Sequence, residues 1–126
     1  MKQKLTLLLG LFLMIFSSCT KFESDDLIGT KWTGSMTCNE WTENETVDLG
    51  FEFEYGKASF TYLEYGKQYP ENGVMLYTLD GNEFIIEKAN ETLNGTWAFN
   101  HESKDKITLT KSVGTQVFTI DLIKRK

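Results

Sequence analysis

The sequence predicts an all-β domain, an eight-stranded antiparallel up-and-down barrel, and three observations carry that expectation. Apolar and polar residues alternate in segment after segment. Turn-forming residues recur at short intervals, and no segment after the first 18 residues places its apolar positions at helical spacing. A two-sheet β-sandwich shares this strand pattern. The barrel is favoured because the connections read as sequential hairpins, and closure removes the exposed edges an open sheet would leave.

Thr30–Cys38 is the first candidate strand and Thr46–Tyr55 the second. The second alternates strictly, with Val47, Leu49, Phe51, Phe53 and Tyr55 on one face and Asp48, Glu52 and Glu54 on the other. That pattern belongs to a half-buried antiparallel strand with its apolar side inward. Tyr55-Gly56-Lys57 is a turn, and Ala58–Tyr65 is its hairpin partner. Gly66–Gly73, with Lys, Gln, Pro, Glu and Asn, reads as a longer loop.

Val74–Leu79 follows, and Asp80-Gly81 is the strongest tight-hairpin dipeptide in the chain, with Glu83–Lys88 returning from it. Leu93–His101 brings Trp97 and Phe99 to one face. Lys106–Lys111 turns Ile107 and Leu109 inward, and Thr115–Lys124 sets Phe118, Ile120 and Leu122 opposite Val117, Thr119, Asp121 and Ile123.

The N-terminus has a different character. Met1-Lys2-Gln3-Lys4 is basic, Leu5–Phe16 is almost purely apolar, and Ser17-Ser18-Cys19 follows. A basic start, a short apolar run and small residues at the cut describe a secretory signal peptide. The run is well short of the roughly 20 apolar residues that span a membrane. A cysteine directly after the small pair resembles a bacterial lipobox. The resemblance implies cleavage after residue 18 and acylation of Cys19, and two or three acyl chains anchor stably where one does not. The chain thus divides into a signal peptide (1–18), a lipidated, solvated tether (19–26) and a β-barrel domain (27–126). Ser24-Asp25-Asp26 is similar to the acidic stretch after the lipid cysteine in surface lipoproteins of Bacteroidetes. The implied address is the outer membrane, and periplasmic and surface-facing readings stand side by side.

Loss of residues 1–18 takes Lys2 and Lys4 and no acid, so 13 basic side chains fall to 11 against 18 acids and the charge moves from −5 to −7. An acidic domain of this length is one domain with a single core. Its sign excludes nucleic acid as a partner and leaves membrane attachment to the acyl chains on Cys19. With Cys19 acylated, Cys38 has no disulfide partner, and two cysteines with one histidine do not make a closed zinc site. No metal or cofactor is expected.

Leu27-Ile28-Gly29-Thr30-Lys31-Trp32 resembles the strand-opening motif of lipocalins and of lipocalin-like lipoproteins of Bacteroidetes, with two residues rather than one between the glycine and the tryptophan. Leu93-Asn94-Gly95-Thr96-Trp97 and Asp105–Thr110 resemble later strands of that group. The lipocalin's long Ω-loop and C-terminal helix have no room here. The resemblance implies a calycin-type barrel in which Arg125, from the last strand, closes over Trp32 as the barrel floor.

For function, a small barrel either fills its interior or holds one small ligand. A domain this short needs its aromatic rings for its core, so a shallow cup at the mouth, taking a small apolar ligand, is expected in place of a deep cavity. The alternative is a protein- or glycan-binding accessory or inhibitor module with a filled barrel. Trp41, Tyr65 and Tyr69, on acidic or polar loops, are the candidate contact residues for either. No enzymatic activity is expected. His101 lies in the polar turn His101–Asp105, and Glu52 and Glu54 point outward from a strand whose other face is apolar.

Overall fold

A computed structural model describes residues 21–126, so the expected signal peptide (1–18) and Cys19 lie outside the described residues. Eight antiparallel strands close into one barrel in sequence order. They are β1 (Lys31–Cys38), β2 (Val47–Phe53), β3 (Lys57–Glu64), β4 (Glu71–Asp80), β5 (Glu83–Glu87), β6 (Gly95–Ser103), β7 (Lys106–Val113) and β8 (Gln116–Arg125). The seam is β1 on β8, where Lys31–Cys38 pairs residue by residue with Arg125–Phe118.

Strand alternation turns one side chain in two inward, and these fill the barrel with one continuous apolar cluster that includes Trp32, Phe51, Phe53, Phe84, Trp97, Leu109 and Ile120. The loops 39–46, 65–70, 88–94 and 114–115 form one end, the mouth. The turns 54–56, 81–82 and 104–105, with the residues before β1, form the other end, the floor.

Both ends are closed by the same local device. Leu27, five residues before Trp32, is fully buried at the floor, and Leu93, four residues before Trp97, is fully buried at the mouth. The indole of Trp97 donates to the Leu93 carbonyl (2.8 Å). The indole of Trp32 donates to the Thr30 hydroxyl (2.8 Å), which in turn donates to the Leu27 carbonyl. Between each leucine and its tryptophan a glycine takes the left-handed backbone that other residues avoid, Gly29 at φ +80° and Gly95 at φ +128°. The two Leu-x-Gly-Thr segments are thus plugs, placed at opposite ends because β1 and β6 run in opposite directions.

Four expectations need correction. Residues 22–26 are not a solvated tether: Phe22 is buried, its ring 5.2 Å from Phe99, 5.3 Å from His101 and 6.4 Å from Trp32. Ser24–Asp26 forms a single 3₁₀ turn, and Lys104 clasps it by donating to the Lys21 carbonyl (2.6 Å) and Asp26 Oδ2 (2.8 Å). Arg125 does not close the floor. Counting from inward Leu122, β8 alternation turns Arg125 outward, beside Lys31 and Glu52 on an outer groove, and Phe22 and Leu27 seal the barrel instead.

Tyr55 does not continue the inner face of β2, because that strand ends at Phe53 and Tyr55 is 85% exposed in the turn. The loop read as Gly66–Gly73 spans only 65–70, since Glu71, Asn72 and Gly73 pair with Tyr62, Thr61 and Phe60.

Candidate functional site: the barrel mouth

The β1–β2 loop builds one wall of the mouth. Its backbone turns at once, the Trp41 amide donating to the Cys38 carbonyl (3.0 Å), and the Trp41 ring stands edge-on to Phe118 at 5.8 Å. Thr42 and Glu45 close the next turn: the Glu45 amide donates to the Thr42 carbonyl (3.0 Å) and the Thr42 hydroxyl to Glu45 Oε1 (2.9 Å). The Tyr65 amide donates to the Thr46 carbonyl (3.1 Å), which ties this loop to the end of β3.

Between these walls lies an open cleft of about 490 Å³. Trp41, Val47, Tyr62 and Tyr65 supply its apolar and aromatic surface, and Glu45, Glu64, Thr46 and Thr92 its polar rim. Burial pushes the Tyr62 phenol above its ordinary value, opposed by a hydrogen bond with the Thr92 side chain. Tyr62 is therefore a neutral wall at physiological pH.

Beneath the Thr92 lip lies Lys111, the next inward position on β7 after Ile107 and Leu109. Its ammonium donates to the Thr92 carbonyl and to the Asn94 carbonyl (2.8 Å) and rests 4.7 Å from the Trp97 ring centre. Loss of hydration lowers its pKa. Lys111 fastens the 88–94 loop over the filled interior, so a ligand at this end meets the cleft and not the barrel axis.

Of the sequence-derived candidates, the structure brings Trp41 and Tyr65 to the cleft. Tyr69, 79% exposed, stands away from the cleft lining on the 65–70 loop. Tyr62 and Val47 escaped sequence reasoning because inward residues near a strand end look like ordinary core. Lys111 was legible, since counting two residues on from Leu109 reaches it.

At the other end His101 packs its ring against Phe22 and Phe99. Glu52 and Glu54 pair at the surface with Lys31 (3.4 Å) and Lys57 (3.7 Å). Cys38 is buried at the mouth end of β1, and among the described residues no group of three or more His, Cys, Asp or Glu side chains is placed to hold a metal.

Comparison with known proteins finds no matching family model, no matching curated protein and no matching solved structure.

Proposed function

We propose that this protein is a lipid-anchored binding module of the Gram-negative outer membrane, a lipocalin-like barrel that takes a small ligand with an apolar body in its mouth cleft. The observation that carries the reading is the cleft itself, where Trp41, Tyr62, Tyr65 and Val47 converge above a filled interior. Its volume lies within the roughly 300–1,000 Å³ of small-molecule sites. Binding is favoured over catalysis because the histidine ring is engaged in floor packing, at the end opposite the cleft.

Anchoring fits the same geometry. Cys19 precedes buried Phe22 by three residues, a reach of about 10 Å at most. A lipid on Cys19 would hold the floor close to the membrane and turn the mouth away from it. Cys19→Ser is expected to move the protein from the membrane to the soluble fraction, and the intact mass of the wild type should show residues 1–18 removed and acyl chains on the cysteine. A wild-type protein cleaved elsewhere and free of lipid would refute the anchor.

For the cleft, native mass spectrometry of the protein purified gently from its host should show an added small-molecule mass that Trp41→Ala removes. The Trp41 ring is only partly buried and rests on Phe118, so its loss should cost under about 2 kcal/mol. A larger loss with the added mass retained would make Trp41 a lid. Tyr65 and Tyr69, 64% and 79% exposed above a filled barrel, favour a second reading, a surface for a protein or glycan partner. A bare wild-type mass would turn the search to that surface.

A further inference from the structure

We propose that the mouth cleft selects cationic ligands, molecules carrying a primary or quaternary ammonium group on a small apolar body. This rests on the mouth-binding reading and names the ligand class.

The argument begins with how charge is distributed along the barrel axis. Five ion pairs lie among the described residues: Lys21–Glu23, Lys31–Glu52, Lys57–Glu54, Lys104–Asp26 and Lys106–Glu102. All five belong to the floor end, where acids and lysines neutralise one another. At the mouth, Glu40, Glu43, Glu45 and Glu91 on the loops and Glu64 at the end of β3 are in no ion pair among the described residues. The cations of that end are Lys67 and Lys88 on exposed loop positions and Lys111, whose ammonium is already committed to two carbonyls.

Two of the unpaired carboxylates, Glu45 and Glu64, line the cleft, and among the described residues no basic side chain does. Glu45 is held in place by the Thr42 hydroxyl on Oε1, which leaves Oε2 without a protein partner among the described residues. The rings of Trp41, Tyr62 and Tyr65 share the same walls. Aromatic walls attract an ammonium group through the negative face of the ring, and a neighbouring carboxylate adds Coulomb attraction. An anionic ligand of the same shape would meet two like charges and no donor cation.

The test uses three probes of matched size that differ in charge: benzyltrimethylammonium, benzyl alcohol and phenylacetate. Each is titrated into the protein purified from its host in dodecyl maltoside, an uncharged detergent, and read by tryptophan emission. Trp32 and Trp97 are 1% and 0% exposed, so a ligand-dependent change reports Trp41. Benzyltrimethylammonium is expected to bind about five- to tenfold more tightly than benzyl alcohol, the scale of two solvent-exposed ion contacts, and phenylacetate more weakly than either. Added salt should erode the preference, and Glu45→Gln with Glu64→Gln should bring it to within about twofold.

Equal binding of all three probes, abolished by Trp41→Ala, would overturn the charge preference and leave the mouth as a binding site. Phenylacetate binding as tightly as the cation would also overturn it, as would a preference that survives the double substitution. If no probe changes the emission, both readings fall.

Discussion

Gly34→Ala is expected to destabilise the barrel by at least about 3 kcal/mol, a large part of the roughly 5–15 kcal/mol that holds a domain of this size together. Gly34 lies on β1 at the closing seam, paired with Leu122 of β8 on one side and Leu49 of β2 on the other. A Cβ placed there would stand 1.7 Å from the Asp121 carbonyl oxygen, 2.8 Å from its carbon and 3.0 Å from Leu122 Cα. All three are backbone atoms, so no side-chain rotation relieves the clash. Relief requires β1 and β8 to separate, and that loosens the ladder that makes the barrel closed.

Gly50→Ala is the natural control. Its Cβ would meet the Thr61 hydroxyl at 2.7 Å, a side-chain atom that can rotate away, and a cost nearer 1 kcal/mol is expected. Urea unfolding of both variants at neutral pH separates the cases. A Gly34→Ala protein within about 1 kcal/mol of wild type would show that the seam yields easily.

The strands were legible because alternation is a local property. Val47, Leu49, Phe51 and Phe53 announce β2 without reference to any other part of the chain, and all four are buried. The errors fall where a residue's place is set by something distant. Alternation predicts that Tyr55 points inward, but a strand's end depends on where its partner turns, and β2 ends at Phe53. Glu71 and Asn72 read as loop because both are polar, yet they extend β4 beyond the rim, where both of its faces meet water.

The site shows the same division. Trp41 and Tyr65 stood out as aromatics among loop residues, whereas the loops meet at Tyr62 only through closure of the sheet. The repeated Leu-x-Gly-Thr pattern was visible, but its meaning was not. That each leucine plugs an end of the barrel follows from the hydrogen bonds joining it to its tryptophan, one of them through Thr30.

Phe22 was the least legible residue, a single aromatic in a polar run with no periodicity around it. Its replacement is the second large effect expected. Phe22→Ala should cost about 3 kcal/mol, toward the low end for a buried ring because the site lies at the chain's entrance to the barrel. The ring fills the floor against Trp32 and Phe99, and the Lys104 ammonium lies 5.1 Å from its centre. The same ammonium lowers the pKa of Asp26, chiefly through its hydrogen bond; the Glu23 backbone amide comes next, and the lysine's charge adds less.

A lowered carboxylate pKa adds stability that is present above the unfolded value, near 3.8, and is lost as pH falls through the lowered one. The Asp26 carboxylate is therefore charged at neutral pH, and there the cost of Phe22→Ala reports the ring's packing together with its contact to the Lys104 ammonium. Urea unfolding gives the cost. Amide exchange should show residues 21–30 losing protection while the mouth loops keep theirs. A cost below about 0.5 kcal/mol, the ordinary scale of a surface substitution, would return residues 22–26 to the role of a solvated tether.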